Sequence, residues 1–176
     1  MPKKINALRE MLLTCAREIL VGRGYSELTI RAIATECGVV PGTIYNYFPS
    51  KEKLVESVML EDWRARRAML DVKMQEAGSA LEAIRVLAEA LDSFVESYHE
   101  IWEKHPATMN DSSTFRKHHK QIVAQMCGML QPIMEKYDCM FHPVLPQFLA
   151  EALLVLAADE DKHFESVEPI LRKLLD

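Results

Sequence analysis

The 176-residue sequence predicts an all-α protein, and three observations carry that expectation. Apolar residues recur at three- and four-residue steps through most of the chain, the period of a helix with one buried face. Glycine and proline fall mainly between those stretches, where they end one helix and open the next. No segment reads as a convincing strand, and no internal repeat is present.

The elements follow in order. Ile5, Leu8, Leu12, Cys15, Ile19 and Leu20 form one stripe of a first helix, which Gly22 and Gly24 stop. Thr29 is placed to cap a second helix carrying Ile30, Ile33, Ala34 and Cys37, which ends at Gly38. Pro41, with its fixed φ, opens a short third helix running to about Tyr47. Ser50 is the expected N-cap of a long fourth helix from Glu52 towards Glu76, with Lys53 where a capping box would place Glu. Gly78 and Ser79 break it. A fifth helix spans about Ala80 to Lys104, with Leu81, Ile84, Leu87, Leu91, Phe94, Val95, Tyr98 and Trp102 in register. His105 to Ser113 reads as a loop. Phe115 to Tyr137 is helical, bent or interrupted near Pro132. Pro143 and Pro146 introduce a helix reaching Ala158, and the acidic turn Asp159 to Lys162 leads to a last helix from Phe164 to Leu175.

At 49% hydrophobic and 27% charged residues, the composition is that of a globular protein and excludes extended disorder. No stretch approaches the roughly 20 apolar residues that span a bilayer. The first residues lack the apolar core and cleavage site of a signal peptide, so the expectation is a cytoplasmic protein without membrane contact. Cys15, Cys37, Cys127 and Cys139 then read as reduced structural thiols. The net charge of −5 is uneven. Residues 1–55 hold eight basic and five acidic residues, a balance of +3, against thirteen and twenty-one in the remainder, a balance of −8. A basic end on an acidic body points to an anionic partner met at that end.

The segment from Ile30 to Ile44 carries the chemistry. With Ile30 as position one, a small residue stands fifth (Ala34), glycine ninth (Gly38), and inward-facing apolar residues tenth and fifteenth (Val39 and Ile44). A bulky fifth residue would strike the second helix, and the ninth needs positive φ. This is the spacing of a helix-turn-helix. Once Ile44 points inward, Thr43, Asn46, Tyr47 and the backbone at Pro41 and Gly42 are left to face outward, where hydroxyls and an amide can meet phosphates and base edges. Lys51 adds a cation at the start of the next helix. The competing reading is a solvated polar face with a buried Tyr45.

Leu28 to Val58, "LTIRAIATECGVVPGTIYNYFPSKEKLVESV", closely resembles the DNA-binding domain of the TetR family of bacterial repressors. The resemblance extends back through the first helix and covers about the first third of the chain. It implies an N-terminal three-helix DNA-binding domain with its helix-turn-helix over residues 1–50. A helical ligand-binding and dimerisation domain would occupy residues 51–176. Thr29 would contact phosphate, and Arg31 backbone or a base. Pro41, Gly42, Thr43 and Asn46 would face the major groove. Tyr45 and Tyr47 match the aromatic pair that packs and bonds phosphate, and Lys51 matches a phosphate-binding lysine. Val40 departs from the pattern, because many members carry a serine there and valine cannot cap.

The resemblance also implies a homodimer formed largely by the last two helices, a pseudo-palindromic double-stranded DNA operator and a small-molecule effector. Phe148 to Ala158 is apolar around most of its circumference, which demands burial on more than one side. Phe148, Leu149, Ala152, Leu153 and Leu156 are its candidate interface residues, with Ile170, Leu171 and Leu174 of the closing helix. Both helices could instead fill the protomer core. Candidate pocket residues are Phe94, Tyr98, His99 and Trp102 on the fifth helix. Met109, Phe115, Met126, Met129, Met134 and Tyr137 follow them in the chain. Methionine adapts to varied apolar ligands, although such a stripe serves equally as core.

His118 and His119 are adjacent and diverge on a helix, Cys139 and His142 lack a second ligand pair, and His99 and His105 straddle a helix end, so no metal site is expected. No phosphate-cradling glycine loop, nucleophile elbow or zincin motif is present, which argues against an enzyme and a resident cofactor. The expected function is a homodimeric repressor released by a small, largely apolar ligand. The alternative is an architectural or protein-recruiting DNA-binding factor without such a switch.

Overall fold

The computed structural model describes the backbone of residues 2–99, 101, 112–139, 142–159, 161 and 163–175. Side chains are described from residue 7 onward, those of residues 112–118 excepted. The described residues form eight helices: α1 (Pro2–Arg23), α2 (Ile30–Glu36), α3 (Pro41–Tyr45), α4 (Lys51–Glu76), α5 (Ala80–Ser97), α6 (Ser112–Lys136), α7 (Leu145–Ala157) and α8 (Phe164–Leu175). No strand occurs among them. The contacts divide the chain into two compact units, one within Met1–Arg64 and one within Ala65–His99 and Asn110–Asp176.

In the first unit, α1 buries Leu12, Cys15, Ala16 and Ile19, a single stripe at helical spacing. Tyr25 and Leu28 continue that core through the turn after α1. Thr29 caps α2 as expected, its hydroxyl accepting from the Ala32 N–H at 3.0 Å. Ser50 caps α4 in the same way, accepting from the Lys53 N–H at 3.3 Å. Arg17 pairs with Asp62 and Arg9 with Glu61, and Arg9 also lies over the Phe48 ring, so α1 is braced to the first half of α4.

The second unit is built on α5, whose buried face runs Ala83, Ile84, Leu87, Ala88, Leu91 and Phe94. Ser79 caps this helix, accepting from the Glu82 N–H, and the Glu82 carboxylate reaches back to the Gly78 N–H. α6 packs along α7, and α5 packs against α6, α7 and α8. Val123, Met126, Met129, Leu130, Ile133 and Met134 form the buried stripe of α6. Arg85 of α5 joins Glu168 of α8, which Arg172 also holds at 2.9 Å, and Arg85 covers the Phe164 ring.

Three boundaries differ from the sequence reading. α3 closes at Tyr45, two residues early, because the Tyr47 and Phe48 N–H groups both turn to the Ile44 carbonyl. α5 closes at Ser97, where Tyr98 adopts φ −123° and leaves helical geometry although its ring stays in the core. Ser112 and Ser113, expected in a loop, open α6, and the rest of that loop lies outside the described residues. α6 also passes through Pro132 without interruption. Proline removes the bond to the Gly128 carbonyl, but both residues sit on the solvent side, where that carbonyl is left open to water. No described helix is long and apolar enough to cross a membrane.

Candidate nucleic-acid interface

The helix-turn-helix is built from α2, the turn at Gly38 and α3. Cys37 closes α2 with its N–H on the Ile33 carbonyl at 2.9 Å. Gly38 follows at φ 64°, a left-handed conformation that a Cβ would strain. The Val39 N–H then returns to the Ala34 carbonyl at 2.9 Å, which fixes the direction in which the chain enters α3. Ala34 from α2 and Ile44 from α3 are buried, as the fifth and fifteenth positions require, whereas Val39 at the tenth is only half-buried and Ile33 fills the core beside them.

Burying Ile44 turns the rest of α3 outward. Pro41, Gly42, Tyr45 and Asn46 are exposed, and Thr43 is half-buried. Tyr45 is 51% exposed, which removes the reading in which its ring belongs to the core. Phe48 takes the buried position, with Tyr47 half-buried and its ring 6.4 Å from that of Phe48. A Cβ added at Gly42 would meet no atom within 4 Å. Its small size therefore answers to nothing inside the protein and leaves the backbone open to an approaching partner.

Val40 is the N-cap residue of α3 and offers no side-chain hydrogen bond, as its chemistry dictates. It is also 68% exposed, directly beside Pro41 and Gly42. The sequence reading placed it as a defective cap and overlooked it as surface; an apolar residue of this kind suits a thymine methyl. Thr29 and Arg31 are exposed on the α2 side. The Thr29 hydroxyl already accepts the cap bond, but a hydroxyl retains a proton to donate.

Lys51 has a more defined setting than its position in the sequence conveys. Its Nζ donates to the Tyr25 carbonyl at 2.7 Å and stands 3.6 Å from the centre of the Tyr25 ring. Burial pushes its pKa below the ordinary lysine value, against a smaller opposing pull from Glu52. The Glu52 carboxyl, in turn, is held below its usual range first by the Ser50 hydroxyl and then by its own backbone N–H.

In the second unit, Phe94, Tyr98, Met126, Met129 and Met134 are buried, with the Phe94 and Tyr98 rings edge to face at 5.2 Å. His99 is half-buried, and the Tyr137 hydroxyl donates to the Ala77 carbonyl. Trp102, Met109 and the Phe115 side chain lie outside the described residues, as do His105 and the His118 side chain. Among the candidate interface residues, Leu149, Leu153 and Leu171 are buried within the protomer. Ala152, Leu156 and Leu174 are half-buried, while Phe148 and Ile170 are 60% and 65% exposed. Val144 and Val155 also face outward from the α7 region and were not singled out by the sequence. Among the described residues, no three His, Cys, Asp or Glu side chains are grouped to hold a metal ion.

Residues 12–58 match the family model for bacterial regulatory proteins of the tetR family. The transcriptional regulator UidR of Escherichia coli is 32% identical over 92 residues, covering 52% of this chain and 43% of that protein. The transcriptional repressor KstR2 of Mycolicibacterium smegmatis is 36% identical over 64 residues, or 35% of this chain and 31% of that protein. The chain thus spans less than half the length of these relatives. Over 95% of its length, and 97% of the other chain, the fold is similar to the transcriptional regulator FadR of Bacillus subtilis solved with stearoyl-CoA. The TM-score is 0.60 at 16% identity. Residues 12–58 thus match the DNA-binding region of the tetR family of bacterial regulatory proteins, at the head of a helical fold similar to that of the B. subtilis regulator.

Proposed function

We propose that this chain is a DNA-binding transcriptional repressor, with residues 1–50 as the reader and residues 51–176 as the regulatory and dimerising body. The observation that carries this reading is the outward face of α3. Ile44 is buried and seats α3 on α2, while Pro41, Gly42, Tyr45 and Asn46 stand exposed on its outer side. Thr43, Asn46 and Val40 are the base readers in this scheme. Thr29, Arg31, Tyr45, Tyr47 and Lys51 are the phosphate contacts that set the register.

The chain acts as a homodimer through the outward residues of α7 and α8, Phe148 and Ile170 foremost, since one recognition helix reads too short a site for useful specificity. Its operator is then pseudo-palindromic. The effector is a small, largely apolar molecule held among Phe94, Tyr98, Met126, Met129 and Met134. Support comes from the methionine-rich interior and from the complex of the B. subtilis regulator with stearoyl-CoA. α4 runs from the reader into the body and is the segment through which an effector alters the distance between two readers. The repressor assignment leans on the name of the mycobacterial relative.

Selection of bound DNA from a random pool, repeated with apolar metabolites present, tests the reading. The expected result is one enriched two-fold sequence whose recovery falls in the presence of one class of metabolite. Enrichment that no metabolite alters would favour an architectural or recruiting factor instead, and no enrichment at all would refute sequence-specific binding.

A further inference from the structure

The second unit treats its arginines unequally. Arg67 pairs with Asp71, while Arg85 and Arg172 both hold Glu168. Arg66 of α4 is held by neutral groups instead. Its Nη1 donates to the Ser93 hydroxyl at 3.1 Å and its Nη2 to the Ser97 hydroxyl at 2.9 Å, and no described carboxylate pairs with it. The two serines stand one turn apart on α5, and the Ser97 hydroxyl donates onward to the Ser93 carbonyl at 2.7 Å, which turns its lone pairs to the guanidinium. Hydroxyls fix a guanidinium in place without cancelling its charge. This happens in the acidic part of the chain, with Glu89 and Glu96 exposed on the same helix as the serines.

The charge also borders an apolar interior. The Arg66 guanidinium carbon lies over the Phe94 ring, 5.6 Å from its centre. That ring is buried and meets the buried Tyr98 ring edge to face at 5.2 Å. Arg66 itself is half-buried, so its charge stands where solvent meets the aromatic core. The two serines occupy two of the five guanidinium N–H groups, which leaves three to donate. The Ser93 hydroxyl, which accepts from Arg66, keeps its own proton for a further acceptor.

We propose that Arg66, steadied by Ser93 and Ser97, is an anion-binding end of the effector site, and that the effector is an amphipathic acid with a carboxylate or phosphate head on an apolar tail. This rests on the reading of Phe94 and Tyr98 as effector contacts. The head takes the remaining Arg66 N–H groups as a fork, together with the Ser93 proton, and the tail lies along Phe94 and Tyr98. A neutral molecule of the same length gains the tail contacts alone. Because the serines hold the guanidinium before the ligand arrives, little side-chain freedom is lost on binding.

Isothermal titration calorimetry on the full chain, with decanoate, decyl phosphate and decanol as probes, tests the site. At least one of the two acids should bind about tenfold or more tightly than decanol, and the tighter of them identifies the head as carboxylate or phosphate. Arg66→Met, with its fold checked by circular dichroism, should bring that acid down to the level of the alcohol while decanol stays within about twofold of its original affinity. Arg66→Lys, which keeps the charge and gives up the planar fork, should fall between the two. Equal binding of acids and alcohol by the unaltered chain, or a preference for acid that survives in Arg66→Met, would overturn the proposal and leave the apolar effector site standing. Binding of none of the three probes would overturn both.

Discussion

Lys51 clasps the turn that follows α1, with its ammonium 2.7 Å from the Tyr25 carbonyl and over the face of the same residue's ring. The residue proposed to meet phosphate is therefore also a fastening within the first unit. Lys51→Met keeps the stem and removes the charge. It should lower stability by about 1–2 kcal/mol, the scale of a charged hydrogen bond with a cation–π contact. In DNA binding measured across salt concentrations, the slope should fall by about one unit if the ammonium also meets a phosphate. A stability loss with an unchanged slope would assign Lys51 to the clasp alone.

Gly38 and Gly42 should respond oppositely to the same substitution. Gly38→Ala forces a Cβ into φ 64° and should destabilise the unit by about 1–2 kcal/mol in urea unfolding. Gly42→Ala meets nothing in the protein and should leave stability unchanged or raised by about 0.5–1 kcal/mol, as for other helical glycines. DNA affinity should nevertheless fall at Gly42, since the added methyl occupies the space offered to the partner.

Val40→Ser supplies the hydroxyl that α3 lacks at its N-cap. A gain of about 0.5–2 kcal/mol in unfolding free energy is expected. Binding to the selected operator should change its preference at one base pair, because the valine methyls are removed from the exposed surface.

Phe148→Asp and Ile170→Glu change side chains that face solvent in the protomer, whereas Leu149→Asp places a charge in its core. The first two should shift the chain towards monomer in sedimentation while preserving the helical circular dichroism spectrum. Leu149→Asp should unfold the second unit. Dimers that persist in both surface variants would rule out this face.

Acid should loosen the α5–α8 contact. Glu168 lies below its ordinary value of 4.5, first through its hydrogen bond from Arg85 and then through that from Arg172. A carboxyl with a lowered folded-state pKa contributes stability that is complete above the unfolded value and is lost as pH falls through the folded one. Thermal midpoints should therefore drop as pH falls below about 4.5, and Glu168→Gln should flatten that decline.

The reader was legible in the sequence because its determinants are local. Thr29 and Ser50 cap from adjacent positions, Gly38 marks its own φ, and Ile44 is inward because Ala34 and Val39 fix the turn before it. Elsewhere the sequence pattern underdetermines the structure. Tyr98 continues the period of Phe94, yet periodicity reports which face is apolar and not where α5 ends. α7 is apolar nearly all round, so no helical wheel separates inward Leu149 and Leu153 from outward Phe148. Pro132 looked like a break, but its effect depends on whether the orphaned Gly128 carbonyl faces water. The partners of Lys51 and Cys15 come from the turn after α1 and from α2, brought near by packing that no short window of sequence contains.

The empty space around Gly42 bears on how such a protein changes over generations. Folding places no demand on the side chain at that position, and Tyr45 and Asn46 beside it are similarly exposed. Mutations there reach the proposed DNA contact without passing through the core. A lineage can therefore rewrite the address it recognises while inheriting the scaffold intact.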